Sequence, residues 1–151
     1  MNKEKVIIYT DGACSTTTRS GGWSAIILFY DHKECISGRE ENTTNNKMEL
    51  TAVINGLKEL KCSHNISLYT DSLYVKYGIT EWIKKWKING WQTSNKKSVK
   101  NIKLWQELDN IVLYHNSITW QWVKAHNGNK YNMEADDLAR KAIITKLSHS
   151  S

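Results

Sequence analysis

The sequence predicts an α/β protein with a five-stranded mixed sheet, three antiparallel strands then two further strands, flanked by helices. Two observations carry this. β-rich runs and segments of helical period follow one another in the order β-β-β-α-β-α-α-β-α. The first three strands are consecutive, which makes an antiparallel meander, whereas each later strand is reached through a helix, which makes crossover units. The chain has 151 residues, and no repeat or linker interrupts it, so a single domain over 1–151 is expected.

Val6-Ile7-Ile8-Tyr9-Thr10 is the first strand, with Asp11 directly after it. Gly22 to Tyr30 is the second, Asp31-His32-Lys33 a hairpin turn, and Glu34 to Glu40 the third. Asn46 followed three residues later by Glu49 resembles a capping box, opening a helix with Met48, Ala52, Val53, Leu57 and Leu60 at helical spacing. Ile66 to Thr70 is the fourth strand. The pattern from Ser72 to about Leu113 is helical, broken around Asn89-Gly90 and Thr93-Ser94-Asn95. Ile118 to Val123 is the fifth strand and Met133 to Leu147 the closing helix. Proline is absent, so turns rely on Gly and Asn.

Hydrophobic residues make up 40% and charged residues 24%, which excludes a disordered chain. No apolar run approaches the ~20 residues of a membrane span, and the N-terminus has no signal-peptide pattern. Cys14, Cys35 and Cys62 are widely spaced and form no CxxC pair. That spacing points away from a disulfide framework or a zinc site and toward a reducing cytoplasm. The net charge of +6 is localised. Lys84, Lys85, Lys87, Lys96, Lys97, Lys100 and Lys103 lie between Trp82 and Trp105 with no acid among them. The remainder holds 14 basic and 15 acidic residues, a charge of −1. Four of the seven tryptophans share the segment: Trp82, Trp86, Trp91 and Trp105. Lysine neutralises phosphate and indole stacks on bases or sugars, so this segment of about 82–105 is a candidate nucleic-acid contact. Packing is the expected role of Trp86, Trp91 and Trp105.

Four acids occupy comparable places. Asp11 and Asp71 directly follow strands; Glu49 and Asp136 are expected in the first turns of helices. Each has a structural reading alone, as a turn residue, a cap or a helix-dipole partner. Together, from elements that meet at one sheet edge, they are mutually repulsive and require cations. Hard oxygen ligands favour Mg²⁺ or Mn²⁺ over zinc. Two such ions ~4 Å apart activate water and stabilise the leaving oxygen of a phosphodiester.

Several segments are distinctive: Tyr9-Thr10-Asp11-Gly12-Ala13-Cys14, Thr44-Asn45-Asn46-Lys47-Met48-Glu49-Leu50, Tyr69-Thr70-Asp71-Ser72, Trp122-Val123-Lys124-Ala125-His126, and Asn132 with Ala135-Asp136-Asp137-Leu138-Ala139. Colinear from about Val6 to Ala142, they resemble the signature segments of type 1 ribonuclease H, and the lysine-rich segment resembles the basic handle of the bacterial enzymes.

The resemblance implies a ribonuclease H-like fold. It also implies an endoribonuclease that cuts the RNA strand of RNA–DNA hybrids with two Mg²⁺ ions, Mn²⁺ being a possible substitute, leaving 3′-hydroxyl and 5′-phosphate ends. Asp11, Glu49, Asp71 and Asp136 match the metal-binding acids. His126 matches a histidine on a mobile loop that assists proton transfer or product release; it also sits in a polar, glycine-containing loop. Asn132 matches an asparagine near the scissile site, and Cys14 falls among the substrate contacts. Thr44 matches a DNA-phosphate contact, Asn45 and Asn46 residues reaching the minor groove, and Trp82 a tryptophan against a DNA sugar. Lys85 stands where an asparagine usually lines the phosphate pocket, and a lysine there binds as a point charge. Lys96, Lys97 and Lys100 belong to the handle. Leu73 replaces a common glutamine, and Ser15 to Ser20 replace a Gly/Pro-rich turn. Asp137 is a neighbouring rival to Asp136, family register favouring Asp136. A cytoplasmic monomer without an obligate protein partner is expected. Competing readings are an inactive hybrid-binding module, a DNA-directed nuclease of the same superfamily, and a reverse-transcriptase domain. The intact acid set, the TTNN segment with the handle, and the initiating Met1 respectively argue against them.

Overall fold

In β1 (Lys5–Cys14) alternate side chains serve opposite faces, as a pleated strand requires. Val6 and Ile8 join one core; Ile7 and Tyr9 join another. This computed structural model describes residues 5–92, 99–115, 117–124 and 129–145. The other strands are β2 (Gly21–Leu28), β3 (Lys33–Glu40), β4 (Asn65–Thr70) and β5 (Ser117–Trp122). They form one sheet in the order β3-β2-β1-β4-β5. The β1–β2 and β2–β3 pairs are antiparallel; β1–β4 and β4–β5 are parallel.

Helices cover both faces. The helix α1 (Asn45–Lys58) presents Leu50, Val53, Ile54 and Leu57 to Val6, Ile8 and Leu68, with Trp105 and Leu108 of α4 (Ile102–Tyr114) completing that core. On the other face, α5 (Lys130–Thr145) sets Ala135 and Leu138 against Tyr9 and Ile26. Between β4 and α4 run α2 (Leu73–Tyr77), a π-helical turn (Gly78–Trp82) and α3 (Ile83–Ile88), in direct succession. Among the described residues no helix is long and apolar enough to cross a membrane.

The expected element order stands, with four corrections of position. β1 continues four residues past Thr10, so Asp11 lies inside the strand, paired with Ser24. Asp11-Gly12 resembles a turn signal, but Gly21 to Ser24 supply a ladder partner that overrides it. Thr44, not Asn46, caps α1: its extended backbone aims Oγ1 at the Lys47 N–H, which donates to it at 3.1 Å. Glu49 therefore falls in the second turn. Asp136 likewise falls in the second turn, because α5 begins at Lys130. There the Asn129 Oδ1 accepts from the backbone N–H groups of Tyr131 and Asn132, both at 3.0 Å.

Candidate active site

Gly12 determines how closely α1 approaches the sheet. A Cβ on it would lie 2.5 Å from both the Glu49 nitrogen and the Met48 carbonyl carbon. Only the bare backbone admits the helix, and that contact carries Glu49 to Asp11, one residue away along β1. Asp71 arrives from the neighbouring parallel strand, at the carboxyl end where α/β sheets place their ligands. Ser72 turns the chain into α2, its Oγ accepting from the Val75 N–H at 3.1 Å. Asp11, Glu49 and Asp71 each offer a carboxylate oxygen, and these oxygens lie within 4.8 Å of one another.

Asp136 comes from the opposite face. Ser24, the ladder partner of Asp11, donates through Oγ to the Ala135 carbonyl at 2.5 Å. That bond seats α5 on β2 and brings Asp136 to Asp11, where the two carboxyls share a hydrogen bond. Asp136 also pairs with Arg140 one turn along α5. Its rival Asp137 is exposed and pairs with Lys141 at 3.0 Å. Asp136 is thus beside the trio but outside the 4.8 Å group.

The acids are held in an unfavourable state. Burial, the hydrogen bond from Asp136 and repulsion from Asp71 and Asp136 push the Asp11 carboxyl up to about 8. Burial above all, then Asp11, Asp71 and Asp136, holds Glu49 well above the ordinary carboxylate range. Glu49 Oε2 is buried without a hydrogen-bond partner. An orphaned oxygen among hard carboxylate donors fits a divalent cation such as Mg²⁺ or Mn²⁺, which would satisfy the lone pairs and remove the repulsion.

The remaining candidates lie on several elements. Thr44, Asn45 and Asn46 are exposed at the start of α1, the helix that carries Glu49. Cys14 is half-buried at the end of β1, its thiol donating to the Thr43 carbonyl at 3.4 Å. Asn132 is buried in the first turn of α5. Trp82 is half-buried between Tyr74, Tyr77 and Trp86, with ring centroids 5.7, 6.2 and 5.9 Å away. Trp86 leads on to Trp91 and Trp105 at 6.2 and 5.7 Å. Trp105 is fully buried and its Nε1 donates to the Tyr74 hydroxyl at 3.0 Å. The aromatic ladder thus ties the basic segment to the core. Lys84, Lys85, Lys100 and Lys103 are exposed. Lys87 departs from the uncompensated cluster: its ammonium pairs with Asp109 of α4 at 2.9 Å, an acid remote from it in sequence. Leu73 is exposed at the start of α2. His126, Lys96 and Lys97 lie outside the described residues.

Sequence reasoning missed Arg140, Ser24 and the packing role of Gly12. The Asp136-to-Arg140 spacing, four residues on a helix, was the available signal for the first. Nothing local marks Ser24 or Gly12; both matter only once β1 and β2 pair.

The ribonuclease H family model matches residues 3–144. The chain is 74% identical over 144 residues to the ribonuclease H of Wolbachia pipientis wMel, covering 95% of this chain and 99% of the relative. Its structure resembles that of LC9-RNase H1, a type 1 RNase H with the type 2 active-site motif. The TM-score is 0.85 at 26% identity, over 96% of this chain and 74% of the other. It also resembles a foamy viral protease–reverse transcriptase solved in complex with RNA/DNA hybrid. That TM-score is 0.76 at 21% identity, over 95% of this chain and 20% of that one, which bears on the fold alone. From family model, near-full-length identity and fold, the chain belongs to the ribonuclease H family.

Proposed function

We propose that the chain hydrolyses the RNA strand of RNA–DNA hybrids as a magnesium-dependent endonuclease, leaving 3′-hydroxyl and 5′-phosphate ends. The observation that carries this reading is the convergence of buried Asp11 and Glu49 with half-buried Asp71, with a Glu49 oxygen that no protein donor satisfies. Asp11, Glu49 and Asp71, with Asp136 at their side, would hold two Mg²⁺ ions in the substrate complex, or Mn²⁺ in their place. When bound, such ions supply Lewis acidity, making a water nucleophilic near neutral pH and neutralising charge on the leaving oxygen.

The protein's own groups position the duplex. Exposed Asn45 and Asn46 enter the shallow minor groove of the A-like hybrid, whose 2′-hydroxyls distinguish RNA from DNA. Thr44 and Lys85 take DNA phosphates, and Trp82 lies against a DNA sugar. Cys14 and Asn132 line the RNA side. Lys96, Lys97 and Lys100 neutralise phosphates farther along, in the handle. His126 moves a proton at the scissile phosphate or helps the product leave. The protein works as a cytoplasmic monomer and needs no protein partner.

Labelled RNA–DNA hybrid, double-stranded RNA and double-stranded DNA, each with Mg²⁺ and with EDTA, test the proposal. Cleavage confined to the RNA of the hybrid and abolished by EDTA is expected. Equal cutting of double-stranded DNA, or cutting in EDTA, overturns it.

A further inference from the structure

The end of the sheet away from Asp71 carries a second group of metal-ligating side chains. There the β2–β3 hairpin, with His32 and Glu34, meets the turn between α1 and β4, with Cys62 and His64. The four line one cavity of about 310 Å³, which Phe29 and Leu60 floor. They occur as two pairs. Cys62 Sγ lies 3.5 Å from His64 Nε2, and His32 Nε2 lies 3.3 Å from Glu34 Oε2.

Both are hydrogen-bond contacts whose spacings also match the edges of a tetrahedral zinc site. With Zn–S ~2.3 Å, Zn–N ~2.05 Å and Zn–O ~2.0 Å, a tetrahedral edge is ~3.6 Å for sulfur to nitrogen and ~3.3 Å for nitrogen to oxygen. His32 also has the outer support expected of a metal ligand. Asp31 Oδ1 accepts from Nδ1 at 2.7 Å, and its ring stacks on Phe29 with centroids 4.5 Å apart. A carboxylate accepts only, so in the metal-free protein both ring nitrogens carry hydrogen, Nδ1 toward Asp31 and Nε2 toward Glu34, and an ion bound at Nε2 takes the place of that second hydrogen. The His64 backbone is anchored as well, its N–H donating to His115 Nδ1 at 3.2 Å.

We infer that His32, Glu34, Cys62 and His64 form a binding site for Zn²⁺ or a related soft divalent ion, separate from the catalytic acids. The spacing of the cysteines argues against zinc because Cys62 has no nearby cysteine. The fold supplies what the spacing lacks, by setting a hairpin beside a turn some thirty residues away. Among the described residues, only the acid trio already has its ligand atoms within 4.8 Å, so the two pairs must rotate toward each other to close on one ion. His32 is half exposed and Cys62 exposed, so that rotation displaces no core side chain. Binding releases the Cys62 thiol proton and the His32 Nε2 proton to solvent, leaving a neutral imidazole and a thiolate, the latter a ligand the acid trio cannot offer.

Cobalt(II) serves as the probe on the full-length, metal-stripped protein. A four-coordinate Co²⁺ site with a thiolate gives intense visible bands and a near-ultraviolet sulfur-to-metal charge-transfer band; an all-oxygen, six-coordinate site gives neither. Both features are expected in the wild type, to persist in Asp11→Asn and in Cys14→Ser/Cys35→Ser, and to be displaced by Zn²⁺. Cys62→Ser should abolish the charge-transfer band, and His64→Ala should weaken Co²⁺ binding at least ~10-fold, the smallest effect usual for disturbing a metal site. All these positions except the buried Asp11 are exposed or half-buried, and far-ultraviolet circular dichroism checks that each variant is folded. A wild-type spectrum with only weak six-coordinate bands overturns the inference, as does a charge-transfer band that survives Cys62→Ser.

Discussion

Replacing Asp11 by Asn removes a negative charge from a buried acidic cluster, and its effect on stability reports whether that cluster is strained without metal. The Asp11 carboxyl is raised from 3.8 to about 8, a gap of about four units. At ~1.4 kcal/mol per unit, ionising this group in the folded protein costs on the order of 5–6 kcal/mol more than in the unfolded chain. The native carboxyl keeps a proton across the window from about 4 to about 8, while the unfolded one does not. Stability is therefore fully present below that window and is lost as pH rises through it. Asn cannot ionise and escapes the loss. If half the cost is recovered, about 3 kcal/mol, the variant melts ~6–12 °C above wild type at pH 9 for a domain of this size. At pH 5 only about a quarter of the window has been crossed, so the advantage shrinks to roughly a quarter. Calorimetric melting in EDTA at both pH values measures the difference. Added Mg²⁺ should then raise the wild-type melting temperature more than that of Asp11→Asn. The reasoning is refuted if the variant melts below wild type at pH 9, or if its advantage is the same at both pH values.

Asp11→Asn should also reduce hybrid cleavage to background while binding is kept or tightened, read by single-turnover cleavage and by titration in Ca²⁺. His126→Ala should slow turnover by ~10²–10⁴-fold without abolishing it, the usual range for acid–base assistance, as followed by kcat across a pH series. Neutral replacement of Lys96, Lys97 and Lys100 together should remove up to ~2–3 units from the log–log salt slope of binding, raising KM with a small change in kcat. Gly12→Ala forces a methyl into the Glu49 and Met48 backbone. It should cost about 1–3 kcal/mol of stability by overpacking and more than tenfold in kcat, measured by urea unfolding and single-turnover kinetics.

The fold was legible because the apolar runs alternate cleanly with turn residues, and each parallel strand is preceded by a helix long enough to cross over. The acids were legible as a set because two of them directly follow apolar strand-like runs and two sit near helix starts. What escaped was non-local. The extension of β1 through Asp11 depends on a ladder with Gly21 to Ser24, and Asp-Gly read alone resembles a turn. The cap at Thr44 rather than Asn46 depends on where the chain leaves β3. The Lys87–Asp109 pair joins residues of different helices, so a count of charges along the segment leaves the lysine uncompensated. Arg140 beside Asp136 was within reach of helical spacing, yet its significance appears only once Asp136 is seen next to Asp11.

The four acids stand at positions 11, 49, 71 and 136, within β1, just past the end of its neighbour β4, and on helices from opposite faces. They meet only after β1 has paired with β4 and both helices have docked. Only the Asp11–Asp71 part of their repulsion can arise in a sheet without its helices, and the rest waits until α1 and α5 dock. Where helix docking follows the folding barrier, charging the cluster raises the native state more than the transition state, so it should accelerate unfolding while leaving refolding nearly unchanged. In chelator the unfolding limb of a chevron plot should climb between pH 5 and 9, and saturating Mg²⁺ should bring it back down. A divalent ion bound there would then have a second consequence: it would lengthen the lifetime of the folded protein.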